Sequence, residues 1–335
     1  MYEFFPESWY IAGYSADFDK LTPKQVFLLD QPIVIFRVRS GNTVALKDIC
    51  PHRFAPLSKG RVKGNSIECR YHGFRFGPTG ECTAVPGTDE IQEGIWTKHY
   101  PTKEMWGLVF VWMGEKKPAE DVPLPPLHYF DDPNWVGLHG MHQVDGNYTL
   151  LRDNLTDLTH AKFLHGSTLA TDDVTDFPVE VEKTDDAVII KRRMENIERS
   201  SPFMHMHADF KGRVTHWQEV NFHPPCTIII KVGVHSVKRD NNYQKIEFRI
   251  LNSLIPTGPT TTNYYWSVKR NFRLNDADLS QKDYDANLEA FMEDKEIIEA
   301  QQTMIDTMDK RDTLPVIGPH DRGLLQVTRL MEKWQ

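Results

Sequence analysis

Two short stretches of the sequence each place one cysteine close to one histidine. Cys50 and His52 stand in "CPHR", and Cys69 and His72 stand in "CRYH", with sixteen residues between His52 and Cys69. A thiolate sulfur and a neutral imidazole nitrogen are both good ligands for zinc and for iron. The four residues therefore predict one metal site with two sulfur and two nitrogen ligands.

Two kinds of metal site use such ligands. A structural zinc site usually pairs cysteine with cysteine and histidine with histidine, whereas each stretch here mixes the two. A Rieske [2Fe–2S] cluster requires the mixture, because one of its irons takes two thiolates and the other takes two imidazoles. The spacing therefore favours the cluster over zinc. The two remaining cysteines, Cys82 and Cys226, are predicted to be small buried side chains.

A second group of polar side chains follows later in the chain. Residues 148–165 have leucines at helical spacing and are predicted to form one helix, which also carries Asn154, Asp157, His160 and His165. One histidine on an apolar helix is usually structural. Two histidines among acidic residues instead suit a mononuclear Fe(II) site, in which two histidines and one carboxylate hold the metal.

The carboxylate of such a site must come from another element. Residues 280–310 have a helical pattern, and five acidic side chains lie between positions 289 and 299: Glu289, Glu293, Asp294, Glu296 and Glu299. At about 100° per residue, Asp294 falls beside the apolar sector of Phe291, Ile298 and Ile305. A charge on a buried stripe needs a partner, which a metal ion supplies, whereas the neighbouring glutamates are predicted to face solvent.

The elements around the first set of residues predict a small domain. Residues 26–49 read as three short strands and residues 107–114 as another, with turn residues between them. The proline-rich residues 116–135 read as a linker. We therefore predict an all-β domain over residues 1–115 that carries the two Cys/His stretches.

Beyond the linker, strand patterns and helical patterns occur together. Four runs of residues read as strands: 187–193, 227–234, 245–256 and 262–272. With the two helical patterns they predict an α+β fold, in which helices pack on a largely antiparallel sheet. This second domain, residues 136–335, would hold the mononuclear metal.

Composition narrows the class of protein further. The 335 residues carry a formal net charge of -8, which argues against a nucleic-acid partner. A cytoplasmic location is predicted, because there is no long apolar run, no basic signal-like start and few cysteines. No G-x-G-x-x-G fingerprint of a dinucleotide site occurs, so electrons would have to come from another protein.

The stretches "CPHR" and "CRYHGF" resemble the Rieske motif of the Rieske non-haem iron oxygenases, although Arg70 and Phe74 replace the proline and tryptophan of its usual form. The pattern of Asp157, His160 and His165 is similar to the family's D-x₂-H-x₄-H motif. The resemblance implies a Rieske domain followed by a helix-grip catalytic domain. It implies two sets of ligands: Cys50, His52, Cys69 and His72 for the cluster, and His160, His165 and Asp294 for the iron.

The resemblance also implies an assembly and an electron path. Members of the family form homotrimers in which the cluster of one subunit lies beside the iron of the next. Asp157 would link His72 of one subunit to His160 of its neighbour by hydrogen bonds, and Asn154 would lie beside the iron. Electrons from NAD(P)H would reach the cluster through a separate reductase or ferredoxin.

Among the branches of the family, the sequence looks most like the O-demethylases and their relatives, which include vanillate and dicamba demethylases and toluenesulfonate methyl-monooxygenase. This implies a terminal oxygenase that uses O₂ to oxidise a substituted, anionic aromatic acid, with O-demethylation and formaldehyde release as the favoured reaction. The alternatives are methyl hydroxylation of an aromatic sulfonate and ring cis-dihydroxylation. A simple electron carrier or a zinc-stabilised binding protein would leave the second domain unexplained.

The strands of the second domain are expected to line the substrate pocket. Six residues on them are candidates: Ile230, Val232, His235, Asn252, Trp266 and Arg270. Of these, Arg270 or His235 would pair with a carboxylate or sulfonate of the substrate. Four other histidines are predicted to be structural: His205, His207, His216 and His223.

Overall fold

The structure, a computed structural model, describes residues 4–116, 118–119, 122–166, 174–198, 200–308 and 315–334. The chain divides into two compact units. The first contains Met1–Phe130 and Ile255–Pro259, and the second contains Asp131–Leu254 and Thr260–Gln335. Within the described ranges, no helix is both long and apolar enough to cross a membrane. The domain bounds and the cytoplasmic location stay predictions.

The first unit is built from three small antiparallel sheets. Its strands are β1 (Trp9–Tyr14), β2 (Lys24–Leu28), β3 (Gln31–Arg37), β4 (Thr43–Lys47), β5 (Arg61–Lys63), β6 (Ser66–Glu68), β7 (Arg75–Phe76), β8 (Cys82–Ala84), β9 (His99–Tyr100), β10 (Thr102–Met105) and β11 (Leu108–Trp112). The sheets have the orders β1-β11-β10, β2-β3-β4-β9 and β5-β6-β7-β8. The three strands predicted over residues 26–49 and the strand predicted over residues 107–114 are confirmed as β2, β3, β4 and β11.

The β5-β6-β7-β8 sheet positions the two Cys/His stretches. The first stretch lies in the loop between β4 and β5, and the second joins β6 to β7. Cys50 and Cys69 belong to one core with buried apolar side chains of this unit: Val34, Phe36, Leu46, Leu57, Ile67 and Phe76. Burial of these side chains fixes the base of both loops, because apolar burial is the main favourable term in folding.

The second unit has one seven-stranded sheet with helices packed against it. Its elements are β12 (Val136–Val144), α1 (Tyr148–Thr156), α2 (His160–Leu164), β13 (Val179–Lys183), β14 (Val188–Ile197), α3 (Pro202–His205), β15 (Val214–His223), β16 (Thr227–Ser236), β17 (Lys245–Gly258), β18 (Thr261–Arg270), α4 (Ala277–Thr307) and α5 (Arg322–Met331). The strand order is β12-β18-β17-β16-β15-β14-β13. The predicted α+β class is confirmed, although the sequence analysis did not identify β12, β13 or β15.

Residues 148–165 do not form the single helix that the leucine spacing predicts. Helix α1 ends at Thr156, and Asp157 is extended, with φ −103° and ψ 106°. Thr159 N donates to Asp157 Oδ1 at 2.7 Å, and Arg192 Nη1 donates to Leu158 O at 3.0 Å. These side chains satisfy backbone groups that a continuous helix would pair internally. Periodicity alone does not reveal such contacts.

Helix α4 covers one face of the sheet. The Phe291 ring centroid lies 5.0 Å from that of Trp266 and 5.2 Å from that of Tyr264. Phe291, Asp294 and Ile298 are buried, as the helical pattern predicts, but Ile305 is 38% exposed. Asp294 therefore lies on the side of the helix that faces the sheet.

Candidate metal centres

The two Cys/His loops have the same backbone hydrogen-bond pattern. Phe54 N donates to Cys50 O at 2.8 Å, and Gly73 N donates to Cys69 O at 2.9 Å. In each loop the cysteine N–H also donates to the carbonyl five residues later, at 2.9 and 2.8 Å. Phe54 and Gly73 have positive φ angles of 58° and 75°, so each loop turns back four residues after its cysteine. The repeat of one geometry gives two equivalent arms around a common site.

Sulfur and nitrogen ligands are separated within this site. Cys50 and Cys69 are buried, at 1% and 3% exposure, whereas His52 and His72 are exposed. The two imidazole centroids lie 4.6 Å apart, and Phe74 stacks on His52 at 4.5 Å. A two-iron cluster with an inner iron on thiolates and an outer iron on imidazoles fits this separation.

The surroundings of the Cys50 thiol disfavour its ionised form. Burial raises the pKa of the Cys50 thiol to about 11. The backbone N–H groups of His52 and Arg53 act in the opposite direction, and the neighbouring Cys69 raises the pKa further. Because a metal-bound cysteine must be a thiolate, a bound cation would offset the cost of ionising Cys50 in this position.

A second centre lies between α1, α2 and α4. The ligand atoms of His160, His165 and Asp294 all lie within 4.8 Å of one another. Asp294 Oδ1 is 3.2 Å from His165 Nε2 and 3.7 Å from His160 Nε2. Asn154 Nδ2 donates to the same oxygen at 3.0 Å. Two imidazoles and one carboxylate are the donor set of mononuclear non-haem iron sites.

One orphaned atom supports the fit of a cation here. Asn154 Oδ1 is buried and has no hydrogen-bond partner within the described part of the chain. Leaving a buried acceptor unsatisfied costs about 1–3 kcal/mol, which a metal ion or a metal-bound water would remove. The residues present therefore fit a bound iron.

Glu293 corrects one prediction from the sequence. It was expected on a solvated helix face, but its Oε2 lies 2.6 Å from His165 Nδ1. His165 lies at the end of α2, next to α4. Glu293, which precedes the buried Asp294 on α4, can therefore reach the His165 ring. Burial lowers the pKa of His165, but Asp294 and Glu293 outweigh burial and raise it. A carboxylate behind a metal-binding imidazole fixes the ring orientation and tautomer.

Asp157 contacts His160 through its backbone. His160 Nδ1 is hydrogen-bonded to the Asp157 carbonyl oxygen, while the Asp157 carboxylate accepts from Thr159 N. The residue thus orients the His160 ring within one chain. Its predicted link to His72 of a neighbouring subunit stays a prediction.

A cavity of about 120 Å³ adjoins the second centre. Its wall includes His160, His165 and Asp294, and it also includes two of the predicted pocket residues, Ile230 and Val232. Much of the remaining wall is apolar, from α1, α3, α4 and the middle strands of the sheet. The arrangement can hold a small aromatic molecule against the metal ligands.

The other four predicted pocket residues lie outside this wall. The Arg270 guanidinium, 1% exposed, donates to Asp283 Oδ2 at 3.0 Å. Asn252 accepts from Tyr264 O–H at 2.7 Å, and Trp266 packs on Phe291. His235 Nδ1 lies 3.1 Å from the carbonyl oxygen of the next residue. Arg270 is thus already paired with Asp283, and the pairing of Arg270 or His235 with a substrate anion stays a prediction.

Two residues of the cavity wall were not among the pocket residues predicted from the sequence. His216, predicted to be structural, and Gln218 both line the cavity from β15. They lie opposite Val234 and Val232 of β16 in the antiparallel register. Their signal was the alternation of β15, in which every second side chain faces the same side of the sheet.

Known proteins match nearly the whole chain. Residues 8–101 match the Rieske [2Fe-2S] domain, and residues 144–335 match the vanillate O-demethylase oxygenase C-terminal domain. A putative toluene-4-sulfonate monooxygenase system iron-sulfur subunit of Comamonas testosteroni is 31% identical, covering 97% of this chain and 95% of that protein. The vanillate O-demethylase oxygenase subunit of Pseudomonas sp. (strain HR199) is 30% identical, covering 98% and 94%.

A solved structure has the same fold. Dicamba monooxygenase bound to dicamba superposes with a TM-score of 0.91 at 26% sequence identity, covering 99% of this chain and 97% of that chain. The fold and the two centres thus define an oxidoreductase with a Rieske [2Fe–2S] cluster and a non-haem iron, which uses O₂ and electrons from a partner protein. The chain belongs to the vanillate O-demethylase oxygenase family and is the terminal oxygenase of a Rieske monooxygenase system.

Proposed function

We propose that the chain removes the methyl group of a methoxy-substituted aromatic compound. The observation that carries the proposal is the cavity of about 120 Å³ beside His160, His165 and Asp294. For comparison, an engineered apolar cavity of roughly 150 Å³ binds one benzene molecule. The space of about 120 Å³ is smaller than that, so it limits the substrate to one ring at the metal ligands, with part of the molecule extending beyond the enclosed volume. Relatives named as O-demethylases support the same choice.

The proposal assigns each ligand set to one metal group. The Rieske cluster is held by Cys50, His52, Cys69 and His72. The iron is held by His160, His165 and Asp294. The bound metals supply single electrons and the activation of O₂. Around the iron, Asn154 orients Asp294 through the 3.0 Å hydrogen bond, and Glu293 orients His165. These contacts hold the ligands in place before substrate binds.

The proposed reaction inserts one atom of O₂ into a C–H bond of the methoxy methyl group. Two electrons and two protons reduce the other oxygen atom to water. The hydroxymethyl ether then breaks its C–O bond and gives a phenol and formaldehyde. Leu155, Ile230, Val232 and Phe291 line the cavity, and their apolar side chains keep bulk water from the reacting carbon.

Product analysis tests this proposal. The iron-loaded protein, supplied with a reductase and NAD(P)H, should release one formaldehyde for each O₂ consumed with its methoxyarene substrate. A dihydrodiol, or hydroxylation of a methylarenesulfonate with no formaldehyde from any methoxyarene, would contradict the proposal. Those two products correspond to ring dihydroxylation and to methyl hydroxylation.

We also propose that the electron donor, a ferredoxin or a reductase, presents an acidic surface. Residues 49–76 around the cluster carry six lysines or arginines and one acidic residue, in a chain of net charge -8. That residue, Glu68, is paired with Arg61 and Arg75 at 2.6 and 2.7 Å. Lys59 and Lys63 are exposed, so the loop surface keeps a positive charge that attracts an acidic partner.

Charge reversal tests the donor surface. Lys59→Glu should lower kcat/KM for the donor and weaken the dependence of kcat/KM on salt, because less electrostatic attraction remains for salt to screen. Lys20→Glu, at another exposed position of the first unit, is the matched control. Equal effects of the two changes would contradict an acidic donor docking at this surface.

A homotrimer is the assembly that we propose. His72 is exposed, and the family resemblance pairs it with Asp157 of a neighbouring subunit. Asp157→Asn should slow electron transfer from cluster to iron while the iron content stays the same. A protein that sediments as a monomer at working concentration, with full activity, would overturn this assembly.

A further inference from the structure

The cavity wall beside the second centre lacks cationic side chains. Among the described residues that form it, none is lysine or arginine. Apart from the proposed iron ligands, its polar members are Ser201, His216, Gln218 and Asn287. An anionic substrate would therefore find no ammonium or guanidinium group among the described residues of this wall.

The two buried arginines of the surrounding sheet donate hydrogen bonds within the protein through their terminal nitrogens. Arg270 donates to Asp283 at 3.0 Å. Arg192, which lies opposite Gln218 on β14, donates to Leu158 O at 3.0 Å and to a neighbouring hydroxyl. Neither residue belongs to the cavity wall, although the Nε of each guanidinium is buried without a hydrogen-bond partner among the described residues.

Gln218 supplies an unused acceptor at the cavity. Its Oε1 is buried and has no hydrogen-bond partner within the described part of the chain. The residue lies on β15 opposite Val232 of β16, and both line the cavity. A buried acceptor without a donor is unfavourable, and an O–H or N–H group of a ligand would satisfy it.

The charges at the mononuclear metal centre also favour a neutral ligand. The two positive charges of a bound Fe(II) are matched by the carboxylates of Asp294 and Glu293, one at the metal site and one on His165 Nδ1. An aromatic carboxylate in this cavity would lose its hydration without gaining a cationic partner. A neutral ligand avoids that cost.

We propose that the cavity selects an uncharged aromatic ether with a hydrogen-bond donor, such as a methoxyphenol, and disfavours aromatic acids. Gln218 is the residue that recognises the donor. The inference rests on the demethylation proposed above, and it replaces the anionic substrate that the sequence suggested.

Three ring compounds of similar size test the charge preference. They are 2-methoxyphenol, 2-methoxybenzoate and 1,2-dimethoxybenzene, titrated calorimetrically into the iron-loaded protein at pH 7. The phenol should bind at least tenfold more tightly than the benzoate. Tighter binding of 2-methoxybenzoate than of 2-methoxyphenol would overturn the inference. If Arg192→Met then abolished the binding of 2-methoxybenzoate, Arg192 would be the anion site.

Variants of Gln218 test the donor. Gln218→Leu should weaken binding of 2-methoxyphenol about tenfold, the effect of losing one hydrogen bond, and leave 1,2-dimethoxybenzene unchanged. Gln218→Glu keeps an acceptor and should retain the phenol. Iron content and the Rieske spectrum report whether each variant is folded. Equal losses for the phenol and the dimethoxy compound in Gln218→Leu would overturn the role of Gln218.

Failure of this inference differs from failure of the proposed function. Formaldehyde released mainly from methoxybenzoates would refute the neutral substrate and keep demethylation. The expected binding preference without formaldehyde from any compound would keep the neutral cavity and refute demethylation.

Discussion

Replacing Glu293 by glutamine tests whether the hydrogen bond behind His165 contributes to iron binding. Glu293 Oε2 lies 2.6 Å from His165 Nδ1, and the other ring nitrogen lies 3.2 Å from Asp294 Oδ1. The imidazole therefore connects Glu293 directly to the proposed ligand set. Glutamine keeps the length of the side chain and one acceptor oxygen but removes the negative charge.

The expected magnitude follows from the change in charge. A hydrogen bond to a charged group contributes about 1.5–3 kcal/mol, and a neutral one contributes about 0.5–1.5 kcal/mol. The difference, about 1–1.5 kcal/mol, corresponds to roughly a tenfold change in an equilibrium constant. Loss of a carboxylate behind a metal-binding histidine typically costs about 10–100-fold in affinity or activity. We expect Glu293→Gln to weaken iron binding about tenfold and Glu293→Ala to weaken it further.

The assay is a titration of Fe(II) into protein from which the mononuclear iron has been removed. The visible absorption of the Rieske cluster is an internal control for an intact first unit. Glu296→Gln is the matched control, since Glu296 lies three residues later on α4 and is exposed. Equal iron affinities for the two variants and the unchanged chain would refute the role assigned to Glu293.

Two further changes test the fold around the centres. Asp283→Asn removes the carboxylate partner of a buried arginine and should lower the free energy of unfolding by about 3–5 kcal/mol. Urea denaturation measures it, with the exposed Asp285→Asn as control, and equal stabilities would contradict the reasoning. Gly73→Ala places a Cβ 2.8 Å from Pro86 Cγ at a φ of +75°, so iron and sulfide per chain should fall. Gly64→Ala is the control for backbone strain alone, because Gly64 has a φ of +65° and nothing within 4 Å of the added Cβ. An unchanged cluster content in Gly73→Ala would contradict the expected effect of the contact with Pro86.

The Rieske loops could be predicted because the information is local. Cys50 and His52 are two residues apart, and Cys69 and His72 are three apart, so each pair lies within one turn of backbone. The hydrogen bonds that shape each loop also span only four or five residues. Ligand type and spacing therefore carry most of the geometry, and tertiary packing adds mainly the burial of the sulfurs.

The substrate cavity depends on contacts that sequence periodicity does not contain. Alternation along a strand tells which side chains share a face, and Ile230 and Arg270 both belong to strands of the large sheet. Which part of that face is a cavity depends on where α4 and α3 pack. Arg270 donates a hydrogen bond to Asp283 of α4, whereas Ile230 lines the cavity. The same limit applies to Glu293, whose contact with His165 requires the position of α2.

The end of α2 at Leu164 is what allows the two histidines to share a metal, since both of them follow the break between α1 and α2. In one continuous helix, residues five apart are separated by about 140° around the axis and cannot converge on one ion. Helix α2 instead begins at His160 and ends before His165, which has non-helical angles of φ −114° and ψ 25°. The carbonyl of Leu158, held by Arg192, fixes where α2 begins. The convergence of the ligands thus depends on helix ends set by side-chain contacts. This explains why the sequence could suggest two histidines as ligands by residue type but placed both on a single helix that the structure divides.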